Sequence, residues 1–266
     1  MSGFENDSQL TAKVLSNEAQ SVDWVVPSEV PIGFVYGGHH HAVMMATPAD
    51  LEDFAIGFSL AEGILHHASE MEKIQSKPGK HGIELHLQIP QNRMEKLQMH
   101  GQRRAHRGRA GCGICGVSTA SDAMRPLPRL DIHTPAPTVK AIHAAIENMP
   151  SQQVMRARNH TVHGAAWADM DGNLAFVRED IGRHNALDKM IGVWARNPTT
   201  DGFALLSSRC TYELVQKCAL AGIGTLVCLA APTSTAIETA RKANMRLCIY
   251  DRHTRQILLF NEPELG

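Results

Sequence analysis

This chain of 266 residues lacks several things, and each absence narrows what it can be. It has no charge excess. Twenty-six Lys and Arg stand against 27 Asp and Glu for a net charge of −1, so no overall basic surface for nucleic acid is expected. No apolar run is long enough to span a bilayer. The opening Met1-Ser2-Gly3-Phe4-Glu5 has neither the basic residues nor the apolar stretch of a secretory signal. There is no internal repeat and no low-complexity segment. Nor does a second Cys-x-x-Cys pair accompany Cys112 and Cys115, and a tetrahedral zinc site wants two such pairs. A cytoplasmic protein with reduced thiols is therefore expected, with no metal and with neither nucleic acid nor membrane as a partner.

What is present centres on one stretch. Arg103-Arg104-Ala105-His106-Arg107-Gly108-Arg109 runs into Ala110-Gly111-Cys112-Gly113-Ile114-Cys115-Gly116. Fixed positive charge lowers the pKa of a nearby thiol, and the thiolate is its reactive form. The glycines on either side of each cysteine let a large partner come close. Taken alone, an arginine run is a solvated linker; beside two thiols it marks an accessible, electropositive sulfur site. A thioredoxin-type pair would instead open a helix after a strand.

Around that stretch the chain reads as follows. Residues 1–20 are polar and aperiodic, as in a mobile tail. Within residues 24–46 two strand-like runs flank Gly37-Gly38-His39, a hairpin signal. Thr47-Pro48 then opens a helix, Thr47 as its N-cap, with Leu51, Phe54, Ala55 and Phe58 inward and Gly63 as the stop. Ile83, Leu85, Leu87 and Ile89 alternate with polar residues as a half-buried strand. Pro126, Pro128, Pro135 and Pro137 mark a linker. An N-terminal domain of residues 21–135, ending in the thiol loop, is thus expected before a second domain of residues 136–266. Thr138 caps the first helix of that domain, whose inward face is Val139, Ile142, Ile146 and Met149.

The second domain alternates. Residues 162–177 form a hairpin turning at Asp171-Gly172. A helix follows with Leu187, Met190, Ile191 and Trp194 on one face, so Asp180, Arg183, His184 and Asn185 gather at its start. A capping box explains Asp180. It leaves Arg183 and His184 as cations at the positive end of a helix, where an anion is wanted. Strand, helix, strand, helix and strand then follow to residue 250, with Gly222 and Asn244 closing the helices and Cys218 and Cys228 on packed faces. This is an α/β layer with largely parallel strands. Ligands of such sheets lie beyond the carboxyl ends of the strands. Here those ends are Ser207-Ser208-Arg209, Pro232-Thr233-Ser234 and Tyr250-Asp251-Arg252-His253. Hydroxyls and arginines at helix starts suit phosphate, and Tyr250 suits a base, so a phosphorylated nucleotide-like ligand is expected.

These motifs together resemble the FdhD-type formate dehydrogenase accessory sulfurtransferases. The resemblance is carried by Met45-Ala46-Thr47-Pro48, by Gly57-Phe58 with Glu62-Gly63-Ile64, and by Cys112-Gly113-Ile114-Cys115-Gly116. Its strongest part is Arg178-Glu179-Asp180-Ile181-Gly182-Arg183-His184-Asn185-Ala186-Leu187-Asp188-Lys189. It continues through Ser207-Ser208-Arg209-Cys210-Thr211-Tyr212-Glu213 and Ala231-Pro232-Thr233-Ser234. It implies an α+β N-terminal part and a cytidine-deaminase-like α/β C-terminal domain without deaminase chemistry, because the H-x-E and P-C-x-x-C ligand pattern is absent. It implies a carrier that takes sulfane sulfur from a cysteine desulfurase as a persulfide on Cys112, with Cys115 its companion. The acceptor implied is the molybdenum bis-molybdopterin guanine dinucleotide cofactor of formate dehydrogenase, whose catalytic subunit is then a partner. The residues implied for cofactor binding are Tyr250, Asp251, Arg252, His253, Thr254 and Arg255. Our reading of the strand ends and helix starts adds Ser207, Arg209, Thr233, Ser234, Arg183 and His184, with GDP as a mimic of the cofactor. A homodimer is expected. The chain departs from the family pattern at Ser207-Ser208-Arg209, where many members have Ser-Gly-Arg, and at Asn159-His160-Thr161, where Thr-Gly-Gly is usual. A cofactor chaperone without sulfur chemistry and a dithiol oxidoreductase are the rival functions.

Overall fold

A computed structural model of the chain describes residues 4–13, 21–105, 126–197 and 201–264. The first surprise is a strand. β1 (Asp7–Lys13) pairs antiparallel with β2 (Ser21–Pro27), Leu10 opposite Trp24, where a mobile tail was expected. Backbone bonds hold this ribbon together, and its side chains are largely exposed, so it leaves no hydrophobic period in the sequence. Its start is tied down by Asp7, which accepts from Asn159 Nδ2 at 3.0 Å and pairs with Arg158 at 2.7 Å.

β3 (Val30–Tyr36) and β4 (His39–Ala46) form the expected hairpin. Gly37 and Gly38 turn it at φ 53° and 85°, the left-handed conformations that a two-residue loop needs to follow the strand twist. β5 (Lys73–Pro78) and β6 (Ile83–Gln88) complete a four-stranded sheet in the order β4-β3-β6-β5, with β3 and β6 parallel. α1 (Leu51–Ala61) covers this sheet, burying Phe54, Ala55 and Phe58, with Phe34 stacked on Phe58 at 4.1 Å. Its N-cap is not Thr47 but Asp50, in left-handed conformation at φ 54°. Thr47 is fully buried and committed elsewhere. α2 (Gln91–Ala105) follows β6.

Beyond the proline-rich segment lie α3 (Val139–Gln152), α4 (Val154–Asn159), β7 (His163–Asp169), β8 (Leu174–Asp180) and α5 (Arg183–Arg196). Then come β9 (Gly202–Cys210), α6 (Tyr212–Leu220), β10 (Thr225–Pro232), α7 (Ser234–Lys242), β11 (Arg246–Asp251) and β12 (Gln256–Asn261). The six strands order as β12-β11-β10-β9-β7-β8. Only β9, β10 and β11 are mutually parallel; β7, β8 and β12 run against their neighbours, so the sheet is mixed rather than largely parallel. Thr138 does cap α3, its Oγ1 accepting from Ala141 N at 3.1 Å, but Val139 points outward at 59% exposure and Ala141, Ile142, Ala145 and Met149 form the buried side.

α1 and α5 meet backbone to backbone. A Cβ at Gly57 would overlap the carbonyl oxygen of Asp188, and one at Gly192 that of Asp53. One hydrophobic cluster therefore runs from Ile32 and Leu85 of the small sheet through Phe54, Leu187 and Ile191 to Leu206 and Leu247 of the large one. The expected domains share this core across the linker. α3 covers the opposite face of the large sheet, with Ile142, Ala145 and Met149 against Leu205, Val227 and Cys248.

Candidate functional site

The large sheet presents one edge to the chemistry. Its register aligns Leu206, Cys228 and Ile249 across β9, β10 and β11, so the carboxyl ends of these three strands lie side by side. β7 runs the other way, and Gly164, near its start, donates from its N–H to Ser207 Oγ at 2.9 Å. At ~4.8 Å per strand, β7 to β11 spans roughly 14 Å. Along that edge sit His163, Ser207, Arg209, Thr233 and Tyr250, with the starts of α5, α6 and α7 directly behind.

The start of α5 is held by a buried polar knot. Asp180, fully buried, accepts from Thr47 N (3.0 Å), Thr47 Oγ1 (2.8 Å), Gly182 N (2.9 Å) and Asn185 Nδ2 (3.0 Å). Lys189 Nζ, also fully buried, pairs with it at 2.7 Å and donates to Thr47 O. Asn185 Nδ2 reaches Met45 O at 2.8 Å as well. Asp180 is thus a junction rather than a capping box, since the N-cap is Gly182 without a side-chain cap. Thr47 likewise ties the end of β4 to α5. Arg178, which pairs with Asp53 at 2.8 Å, and Arg196, which pairs with the same carboxylate, clamp α1 to this region again.

What the knot orients is a small cationic corner. Arg183 opens α5, and its Nε is buried with no hydrogen-bond partner among the described residues. His184 Nε2 pairs with Glu213 Oε2 of α6 at 2.6 Å, and that bond holds the Glu213 carboxyl below its ordinary range. Thr211 sits at the α6 N-cap but makes no capping bond. His163 faces the same corner: burial, then Arg183 and Arg156, push its pKa down. Sequence reasoning missed His163 and Glu213; the signal for Glu213 was its place in the first turn of a helix that starts at a strand end.

The remaining candidates distribute along the edge. Arg209 and Ser234 are exposed, and Thr233 caps α7 by accepting from Ala236 N at 3.2 Å. Tyr250 meets His143 edge-on, ring centres 5.7 Å apart. Asp251 accepts from His253 N (2.9 Å) and Thr254 Oγ1 (2.7 Å), bonds that lower its pKa and shape the turn. Arg252 Nε donates to Leu229 O at 3.1 Å, and Arg255, at φ 58°, stands out in solvent. Where the family pattern carries glycine, His160 itself adopts φ 55°, and Ser208 is buried with its hydroxyl bonded to Arg209 O. Arginines, histidines and uncapped helix starts on one edge form a surface suited to a polyphosphate. Cys112 and Cys115 lie outside the described residues. Among the described residues no cluster of three or more His, Cys, Asp or Glu is placed to hold a metal, and no helix is long and apolar enough to cross a membrane. Cys218 and Cys228 are fully buried, and burial raises both thiols.

Comparison with known proteins follows the same lines. Residues 27–265 match the model of the FdhD/NarQ family. Proteins named sulfur carrier protein FdhD are similar over most of their length. The one from Bordetella petrii is 40% identical over 241 residues, covering 90% of this chain and 85% of that one. The one from Xanthomonas euvesicatoria pv. vesicatoria is 41% identical over 246 residues, 92% and 86%. The one from Cupriavidus necator is 42% identical over 233 residues, 85% and 78%. In fold, the chain matches a Desulfotalea psychrophila crystal structure provisionally described as a formate dehydrogenase accessory protein. The TM-score is 0.74 at 22% identity, covering 97% of this chain and 98% of that one.

Proposed function

The chain belongs to the FdhD/NarQ family, and from that membership we propose that it is a sulfur carrier serving formate dehydrogenase. The observation that carries the reading is a match to the family over residues 27–265, a span that includes the arginine-flanked Cys112 and Cys115. In loading, the Cys112 thiolate attacks the terminal sulfur of a cysteine desulfurase persulfide. A new S–S bond forms on Cys112 and the desulfurase leaves as its thiolate, with no net oxidation. In delivery, the molybdenum of the bis-molybdopterin guanine dinucleotide cofactor would accept that terminal sulfur and supply the two electrons that make it sulfide, while Cys112 would leave as its thiolate, before the cofactor enters the formate dehydrogenase catalytic subunit. Cys115 assists release or guards against a trapped disulfide. The sulfurtransferase step belongs in the cytoplasm, where both thiols stay reduced.

The carboxyl edge of the large sheet is the seat we assign to the cofactor's guanosine diphosphate arms. Arg209, Arg252 and Arg183 meet the phosphates, Thr233 and Ser234 present the start of α7, and Tyr250 with His253 flanks the base. His184 is kept oriented by Glu213. Support comes from the alignment of these residues on one edge and from the buried, unpartnered Arg183 Nε. The test is calorimetry with GDP in the absence of metal. Binding is expected, and Arg209→Ala or Arg252→Ala should each lose about 1.5–3 kcal/mol, roughly ten- to hundredfold in affinity. No heat of binding to the intact protein would remove this site.

A further inference from the structure

His184 and Glu213 are the outer rung of a short ladder between two helices. His184 and Asp188 lie four residues apart on α5, and Glu213 and Lys217 four apart on α6, so each pair shares one face of its helix. Across the gap, His184 Nε2 meets Glu213 Oε2 at 2.6 Å. One turn further on, Lys217 Nζ donates to Asp188 Oδ2 at 3.0 Å and lies as near to Oδ1. The outer rung is partly open to solvent. The inner one is dry, with the Asp188 side chain fully buried and that of Lys217 only 10% exposed.

The rungs alternate in sign: α5 carries base then acid, and α6 carries acid then base. Sliding α6 by one turn, about 5.4 Å, would set Glu213 against Asp188 in one direction and Lys217 against His184 in the other. Like charges would then meet in a setting with little water to screen them. Lys217 also reaches Glu62 Oε1, at the C-cap of α1, at 3.3 Å, and stands 5.5 Å over the Phe58 ring. Burial opposes its charge, but Asp188 and then Glu62 outweigh that and raise its pKa. Burial also pushes Asp188 up, to about 6, which leaves the pair ionised at neutral pH. α5 is set against α1 by the close backbone contact at Gly57. α6 contains no glycine, so side chains must fix its register, and Lys217 ties it to both neighbours.

We propose that Lys217 and Asp188 are positioning residues for the phosphate-binding corner. They hold α6 at the register in which Glu213 keeps His184 aimed at the ligand, and they touch no ligand themselves. The inference rests on the guanosine diphosphate seat assigned above and adds the buried pair that sets its geometry.

The test is Asp188→Leu combined with Lys217→Met in the full chain, since exchanging a buried ion pair for apolar residues of similar volume is often neutral for stability. The double variant should melt near the wild type yet bind GDP about tenfold more weakly in calorimetry, and no more weakly than His184→Ala. In a His184→Ala background the same exchange should cost no further affinity, whereas beside Arg252→Ala the two losses should multiply. A general loosening of the fold would weaken binding in both backgrounds alike. Should the double variant not fold, Lys217→Gln, which keeps the space filled, carries the same comparison. A wild type that binds no GDP would remove the seat itself, so one arm needs no ligand. In imidazole nitrogen NMR spectra, the His184 Nε2 resonance should shift in the double variant in the direction that Glu213→Gln shifts it. A His184 resonance left at its wild-type position, or a loss of GDP affinity equal with and without His184, would overturn the proposal.

Discussion

The Asp180–Lys189 pair can be broken in a way that discriminates between a structural junction and an incidental contact. Both side chains are fully buried, 2.7 Å apart, and joined by Thr47. Asp180→Asn removes the negative charge and leaves the buried Lys189 ammonium without a counter-ion, held only by Thr47 O and Oγ1 and by the Phe54 ring, 5.6 Å from its centre. Removing one partner of a buried ion pair costs roughly 3–5 kcal/mol. A protein of this size shifts its melting temperature by about 2–4 °C per kcal/mol, so a fall of roughly 6–20 °C is expected. Lys189→Met should fall comparably. The double variant, with neither charge left buried alone, should lose less than the sum, with coupling of up to about 3 kcal/mol. The assay is thermal melting of the four proteins, with denaturant titration to place the values on one scale. A single variant melting within about 2 °C of the wild type, or losses that simply add, would refute the reasoning. Because the knot orients Arg183 and His184, GDP affinity should fall in the single variants even at temperatures where they remain folded.

Two further outcomes follow from the geometry. Burial opposes ionisation of Glu70, yet its hydrogen bonds from Arg93 and from the His66 and His67 N–H groups outweigh it and hold the pKa at about 2 against an ordinary 4.5. Its contribution to stability is therefore present above pH 4.5 and lost as pH falls toward 2; in acid-melting curves Glu70→Gln and wild type should differ near neutral pH and converge below about pH 2. At the α1–α5 contact, Gly57→Ala drives a Cβ into the Asp188 carbonyl and should cost about 3 kcal/mol or more. Gly63→Ala, at φ 67° with open space around it, should cost only about 1 kcal/mol. Equal losses in chemical denaturation would mean that the helices simply move apart.

Several elements were legible because their cause is local. Gly37-Gly38, Asp171-Gly172, Gly222 and Asn244 announce turns through backbone conformations that few residues tolerate, and the structure has them where expected. Thr47 was misread for the opposite reason. Thr-Pro before an apolar helix is a sound local cap, but the hydroxyl bonds Asp180, 133 residues away. β1 was missed because its stability lies in backbone pairing that leaves no mark on side-chain order. β7 and β8 were legible as a hairpin, but β12 and the antiparallel run of β7 beside β9 were not, since alternation of strand and helix does not report direction. In the candidate site, residue types at strand ends were readable as phosphate chemistry. The pairing of His184 with Glu213 and the place of His163 needed three dimensions.

The central claim is that Cys112 carries the sulfur, and one measurement meets it directly. Wild type, Cys112→Ser and Cys115→Ser are each incubated with a cysteine desulfurase and sulfur-labelled cysteine, and their intact masses and label are read before and after a reductant. Wild type and Cys115→Ser should gain one reductant-labile sulfur, with Cys115→Ser losing only part of its ability to mature formate dehydrogenase. Cys112→Ser should gain none and support no maturation, while melting like the wild type. Full loading of Cys112→Ser would contradict the account.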